Sequence, residues 1–177
     1  MRRLTGISAL VVLLVVALSS APVRAQRGDD SDRLSKNGKA EGVIDGVSVA
    51  VEYGRPSVKG RKIWGGLVPH DKVWRTGANE ATTITLGADA AVEGQGLPAG
   101  VYSVFTIPSE EEWTIIFNSV PEQWGAFNYD ETKDALRVTV SPQEAEFVES
   151  LEFQIDSSNL ILRWGELAVP VQIGAGP

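Results

Sequence analysis

Along most of this chain, apolar side chains stand at every second position in short runs, and glycine and proline separate the runs. Such alternation is typical of a β-strand with one buried face. The first run contains Val47, Val49 and Val51, and the pattern repeats in roughly eight or nine segments spaced about ten residues apart. Only residues 142–149 have the composition of a short helical turn. The sequence therefore predicts an all-β fold, an antiparallel β-sandwich or jelly-roll-like single domain.

The first 25 residues have the pattern of a secretory signal peptide. A basic start at Arg2 and Arg3 precedes the apolar run from Ile7 to Leu18, and Val23 and Ala25 stand at the −3 and −1 positions of a cleavage site. The run is shorter than the roughly 20 residues that a membrane-spanning helix needs. We therefore expect cleavage, no membrane insertion afterwards, and a soluble exported protein in the periplasm or outside the cell.

Residues 26–42 are polar, charged and without periodicity, which predicts a flexible lead-in. The β-sandwich domain is then predicted to cover residues 43–177, a length that can bury a core of its own. The chain has no cysteine. This excludes disulfides, thiol nucleophiles and cysteine-ligated metals.

Charge is unevenly distributed along the chain. The net charge is −7, and it becomes −10 without the first 25 residues, which hold three arginines and no acid. Such acidity argues against nucleic acid or an anionic membrane as partner. The segment from Tyr53 to Thr85 is the exception, since it holds six Lys or Arg residues and only two acids.

Two loops within this basic segment carry candidate binding residues. Arg55, Lys59 and Arg61 surround a proline and a glycine, and such cations can bind a carboxylate, sulfate or phosphate. Arg75, Asn79 and Glu80 lie in the second loop and offer several hydrogen bonds to a polar ligand. The alternative for both loops is structural, with the cations solvated or paired internally and an Arg–Glu pair locking the second loop.

Tryptophans fall into two groups. Trp113 and Trp164 lie within predicted strands and are expected in the core. Trp64, Trp74 and Trp124 lie on glycine-flanked or polar loops, where they either stack on a flat ligand or close an open end of the sandwich.

Several longer motifs resemble one family. They are Tyr53–Arg61 (YGRPSVKGR), Gly66–Pro69 (GLVP), Lys72–Thr82 (KVWRTGANEAT), Leu97–Ser103 (LPAGVYS), Phe105–Pro108 (FTIP) and Gln123–Phe127 (QWGAF). In these the chain is similar to the bacterial exported family called domain of unknown function 2911, over roughly Val43 to Ile173. The resemblance implies export and a compact domain, with no established activity or ligand. His70-Asp71 departs from the Tyr-Gly more usual there, which weakens a catalytic role for His70.

Catalytic and metal sites find little support in the residues. His70 is the only histidine, so a metal site would need Asp71 and Glu80 as further ligands. A Ser-His-Asp hydrolase would need His70 as its base, and no Gly-x-Ser-x-Gly elbow is present. We predict no catalytic residue, no metal and no cofactor.

The leading hypothesis is a non-catalytic binder of a polar or anionic small molecule or glycan, with its site in the loop region from Arg55 to Thr83. An alternative is a glycan-directed hydrolase that uses Glu80 with Asp71 or Glu52 as second carboxylate. Another is a structural envelope interaction module. For the binder, one solvent-filled depression is expected to contain Arg55, Lys59, Arg61, Trp74, Arg75, Asn79, Glu80 and Trp124.

Overall fold

Two antiparallel sheets pack face to face in the computed structural model, which describes residues 27–177. The prediction of an all-β sandwich is thereby confirmed. The predicted signal peptide of residues 1–25 lies outside the described residues. None of the helices in residues 27–177 has the length and apolar character needed to cross a membrane.

The six-stranded sheet has the order β1-β2-β3-β6-β7-β8, and the four-stranded sheet has the order β5-β4-β10-β9. A single 3-10 turn, Glu131–Lys133, precedes β8 within the described range. The strands are β1 (Lys36–Ile44), β2 (Val47–Arg55), β3 (Thr82–Leu86), β4 (Ala90–Val92), β5 (Gln95–Leu97), β6 (Gly100–Ile107), β7 (Trp113–Asn118), β8 (Asp134–Val140), β9 (Gln143–Ile155) and β10 (Asn159–Ala175).

Alternation along β2 shows why these residues form strands. Val47, Val49 and Val51 are buried, and the residues between them are exposed or half-buried. A two-residue turn, Asp45-Gly46, joins β1 to β2, and both residues have positive φ, 46° and 82°. This backbone twist matches that of the flanking strands, so the turn sets the register of the hairpin.

The predicted flexible lead-in is wrong for residues 36–42, because these residues belong to β1. This strand pairs with β2 over its whole length, from Lys36 opposite Arg55 to Ile44 opposite Val47. An edge strand of this kind is held mainly by backbone hydrogen bonds, and only Ile44 of β1 is fully buried. The strand therefore lacks the alternating apolar pattern that identifies the others.

The predicted short helical turn at residues 142–149 is also wrong. These residues lie mostly in β9, which pairs with β10 and shifts register twice, between Arg163 and Gly165 and between Gly165 and Leu167. At each shift β9 advances four residues while β10 advances two, and this irregularity disturbs the alternation of inward and outward side chains. The local sequence consequently resembles no regular strand.

A second, smaller core lies on the outer face of the six-stranded sheet. Ala81, Phe105 and Ile116 are buried there, and Ala126 and Tyr129 pack against them. Residues 119–133 thus cover part of this face. The covering segment and the 70–81 loop bring several candidate residues onto the outer face.

Candidate functional site

The structure divides the predicted site residues between two regions, and it does not bring them into one depression. The first region is the loop of residues 56–64, which runs along the edge of β9 that does not pair with β10. Val58 N–H donates to the carbonyl of Glu149 at 2.8 Å, and Leu151 N–H donates to the carbonyl of Pro56 at 2.9 Å. These backbone bonds fix the loop against β9.

Three basic residues of this region help to hold the loop in place. Arg55 Nε donates to the carbonyl of Leu151 at 3.3 Å. Arg61 turns back on its own loop, with Nε donating to the carbonyl of Val58 and Nη2 to that of Ser57. Lys59 is anchored through its backbone N–H, which donates to Glu149 Oε1 at 2.9 Å. This loop is thereby held in one shape without a ligand.

A groove of about 780 Å³ lies between this loop and strands β9 and β10. We call it the 58–64 groove. The loop contributes the basic side chains of Arg61 and Lys62, whereas β9 and β10 contribute the acidic side chains of Glu144 and Glu166. The rest of the lining is Val58, Gly60, Ile63, Trp64, Ala145, Phe147, Gly165 and Leu167.

Four tryptophans meet at the inner end of this region. The ring centroid of Trp64 lies 5.8 Å from that of Trp74, 4.7 Å from that of Trp113 and 5.7 Å from that of Trp164. Trp74 and Trp164 stack with their centroids 5.9 Å apart. Trp64 and Trp74 therefore close one end of the sandwich. These contacts favour the structural alternative for Trp74, whose role in binding a ligand stays a prediction.

Three indole N–H groups of this cluster are buried without a hydrogen-bond partner among the described residues. They belong to Trp64, Trp113 and Trp164. Trp113 and Trp164 are 1% exposed, as the sequence predicts for core residues. Trp64 is half-buried and lines the 58–64 groove.

The second region surrounds Glu80. Arg33 binds this carboxylate with two parallel hydrogen bonds of 2.6 and 2.8 Å. Gly28 N–H donates to Oε1 at 3.2 Å, and Arg27 Nη2 lies 3.2 Å from Oε2. Burial alone raises the pKa of Glu80, but hydrogen bonds from Arg33 and from backbone N–H groups, together with the charge of Arg27, outweigh burial and lower the pKa to about 2.

Arg27 is a structural residue that the sequence reasoning missed. Its side chain is 6% exposed. The guanidinium donates to the carbonyls of Ala78, Glu80 and Ala81 at 2.8, 3.2 and 3.1 Å, and Nε donates to Asn37 Oδ1 at 3.1 Å. Nothing in the local sequence distinguishes Arg27 from a solvated arginine, because its partners lie more than fifty residues away along the chain, apart from Asn37.

The remaining predicted residues of this region also contact the N-terminal segment. Asn79 Nδ2 donates to the carbonyl of Ser35 at 3.1 Å. Trp124 is 55% exposed, and the guanidinium carbon of Arg33 lies 5.6 Å from the centroid of its ring. Glu80 therefore forms an Arg–Glu pair of the kind that the structural alternative predicts for this loop. Its partners are Arg27 and Arg33 rather than Arg75.

Arg75 differs from these neighbours. It is half-buried, and its guanidinium has no hydrogen bond or ion pair to any other residue of the described range. Burial lowers the pKa of Arg75. Arg75 is not among the residues that line the 58–64 groove.

Residues proposed for metal binding or hydrolysis are dispersed. His70 and Asp71 line a separate depression of about 360 Å³ with Ser109, Glu110 and Glu111, to which Glu80 does not contribute. Within residues 27–177 no group of three or more His, Cys, Asp or Glu side chains has the arrangement of a metal site.

Comparison with known proteins gives one match. The model of a family described as "Protein of unknown function (DUF2911)" matches residues 35–173. No curated protein and no solved structure matches the chain.

Proposed function

This chain belongs to the domain of unknown function 2911 family, and we propose that it is a non-catalytic binding protein whose 58–64 groove takes a small zwitterionic ligand of the amino-acid or short-peptide class. The observation that carries the proposal is the division of charge in this groove. Arg61 and Lys62 lie on the loop side, and Glu144 and Glu166 lie on the strand side.

The basic side of the groove offers a place for a carboxylate. Lys62 Nζ has no hydrogen-bond or ion-pair partner within the described residues, so its three donors are available. Arg61 keeps one terminal nitrogen, Nη1, that is not used by its own loop. A charge-assisted hydrogen bond to a carboxylate is roughly twice as strong as a neutral one.

The acidic side of the groove selects against a simple anion. Neither Glu144 nor Glu166 is paired with a cation in the part of the chain that the structure describes. A ligand with only negative groups meets repulsion from both carboxylates, whereas an ammonium or guanidinium group on the ligand pairs with them. Opposite charges on the two sides of one groove therefore favour a ligand that carries both.

Apolar surface lies between the two charged sides. Ile63 and Leu167 line the groove, and Phe147 is 56% exposed there. Covering such surface contributes about 25 cal/mol per Å² of apolar area removed from water. The volume of about 780 Å³ falls within the range of roughly 300–1,000 Å³ that is usual for sites of small ligands. A short peptide or modified amino acid suits this combination.

The contacts of Glu80 support a structural role rather than hydrolysis of glycans. A general acid must hold a proton near the working pH, which requires a raised pKa. The pKa of Glu80 is instead lowered to about 2. Its two oxygens are also occupied by Arg33, Arg27 and Gly28 N–H.

Export remains part of the proposal. It rests on the signal-peptide pattern of residues 1–25 and on the resemblance to an exported family. A binding protein of this kind would meet its ligand in the periplasm or outside the cell.

Calorimetry with a panel of amino acids, dipeptides and acidic sugars tests the proposal on the purified chain from residue 26. We expect a zwitterionic member of the panel to bind, with a dissociation constant about tenfold higher for Lys62→Glu, which corresponds to about 1.4 kcal/mol. Lys133→Glu is the matched control, because this substitution makes the same charge change in the 3-10 turn before β8, outside the groove. Its affinity should equal that of the wild type.

Glu166→Gln distinguishes the ligand classes. This substitution should lower the affinity for a zwitterion and raise the affinity for a simple anion, because it removes one carboxylate from the acidic side. Absence of binding across the panel, or equal affinities for Lys62→Glu and wild type, would refute the groove as the site.

A further inference from the structure

The half-buried guanidinium of Arg75 is not explained by the proposed groove. Its Nε is buried and has no hydrogen-bond partner within residues 27–177. Arginine has five N–H donors in a rigid planar arrangement. A buried N–H donor without an acceptor is costly, and in proteins such donors are normally paired.

The backbone holds Arg75 in one place. Trp74 and Thr106 exchange two backbone hydrogen bonds of 2.8 and 2.9 Å, and the carbonyl of Arg75 accepts from Thr82 N–H at 3.1 Å. The root of the side chain is thus fixed by the six-stranded sheet on both sides of the residue. A recognition residue placed this way binds without ordering a loop first.

Neighbouring acids are already occupied by other arginines. Glu80 is the carboxylate that Arg33 and Arg27 bind. Arg27 has its own donors directed to carbonyls of residues 78–81 and to Asn37. Burial is the main cause that lowers the pKa of Arg27; the positive charges of Arg33 and Arg75 lower it further, while Glu80 and Glu52 raise it. Asp29 and Asp30 interact with Arg33 rather than with Arg75.

We infer that Arg75 is the recognition residue of an anion-binding site that is separate from the 58–64 groove and takes the carboxylate group of a ligand. The planar guanidinium forms two parallel hydrogen bonds with a carboxylate, a geometry that lysine does not match. The inference does not depend on the proposed groove, since Arg75 does not line it.

Arginine-selective NMR on the wild-type protein tests this site directly. Titration with sodium acetate, against sodium chloride at equal ionic strength, should shift the Nε–H resonance of Arg75 in a saturable manner. Arg163 provides the reference, because it is half-buried like Arg75 but already donates to the carbonyl of Glu146. No acetate-specific shift of the Arg75 resonance up to saturating salt would overturn the inference.

Two substitutions test whether the residue serves binding or architecture. Arg75→Met keeps an unbranched, though shorter, side chain and removes the positive charge. In both variants the acetate response is followed through the backbone amides of Trp74 and Thr76, and in Arg75→Met it should disappear while the folded protein stays at least as stable as wild type. Arg75→Lys keeps the charge and loses the planar donor pair, and should raise the acetate dissociation constant about tenfold. Marked destabilisation by Arg75→Met, with an unchanged acetate response in Arg75→Lys, would assign the residue to architecture instead.

A second probe identifies the source of the carboxylate. Acetyl-glutamate amide presents the acid as a peptide side chain does, whereas acetate presents it alone. Tighter binding of the glutamate derivative assigns the site to an acidic peptide. Equal affinity assigns it to small organic acids.

Discussion

Arg33 and Glu80 are joined by two parallel hydrogen bonds of 2.6 and 2.8 Å, and this pair ties the segment before β1 to the loop before β3. The two residues are 47 positions apart in the chain. The contact gives the N-terminal segment a fixed place on the domain. It also removes Glu80 from the set of residues available to a ligand.

Low pH should destabilise the folded protein, because it protonates Glu80 and so weakens its ion pairs. Its pKa is about 2 in the folded chain against an ordinary value of 4.5. Because the folded pKa is the lower one, this stabilisation is complete above the unfolded value and is lost as the pH falls from about 4.5 towards 2. Urea unfolding of wild type and Glu80→Gln between pH 2 and pH 7 measures it. We expect the difference in unfolding free energy to shrink in that window. A constant difference would contradict the ion-pair explanation.

Removing Arg27 should destabilise the fold. Arg27→Met leaves the carbonyls of Ala78, Glu80 and Ala81 without this donor. An unsatisfied buried polar group costs about 1–3 kcal/mol, so we expect a loss of at least that size in the free energy of unfolding. Arg163→Met is the control, since Arg163 donates to one exposed carbonyl. Comparable losses in both variants would show that Arg27 is not an anchor.

Backbone crowding at Gly54 should exclude even alanine. A Cβ there would lie 2.2 Å from the carbonyl oxygen of Ala78, which belongs to backbone and cannot rotate away. We expect Gly54→Ala to cost about 3 kcal/mol or more, at the upper end for overpacking. Gly60→Ala separates crowding from backbone strain, because position 60 has φ 67° and no heavy atom within 4 Å of the added Cβ. It should cost about 1–2 kcal/mol. Thermal and urea unfolding give both values, and the reverse order would contradict this account.

The tryptophans should differ in their contribution to stability. Trp64 contacts three other indoles, so Trp64→Ala should cost about 3–5 kcal/mol, as is usual for a large side chain in a core. Trp124 is 55% exposed and mainly contacts Arg33. Trp124→Ala should therefore cost about 1 kcal/mol or less. Urea unfolding of the two variants decides this, and equal losses would refute the assignment of Trp64 to the closed end of the sandwich.

Much of the fold was predictable because strands with one buried face show a period of two. The run at Val47, Val49 and Val51 is buried as that period requires. β1 was missed because its side chains are mostly exposed or half-buried and its stability comes from pairing with β2. The first half of β9 was missed because register shifts interrupt its alternation, whereas the alternation of Leu151, Phe153 and Ile155 predicted the second half. Both failures concern strands at the edge of a sheet.

The candidate site was less predictable than the fold. The sequence indicated the basic loop as a candidate site, and Arg61 does line the 58–64 groove. It did not show that Glu80 pairs with Arg27 and Arg33, because the partners come from a segment without periodicity. Nor does the sequence show which acids face Lys62, since Glu144 and Glu166 reach the groove only through the pairing of β9 with β10. Such long-range partnerships depend on the assembled topology.

The bulged strand β9 has a consequence for the behaviour of the protein at high concentration. It forms one edge of the four-stranded sheet and carries Glu144, Glu146, Glu149 and Glu152. A regular exposed edge is a template for strands of other molecules and so for fibrils. Bulges spoil the hydrogen-bond spacing that an incoming strand needs, and a row of carboxylates repels an identical neighbour. We therefore expect this edge to disfavour self-association of the chain into amyloid.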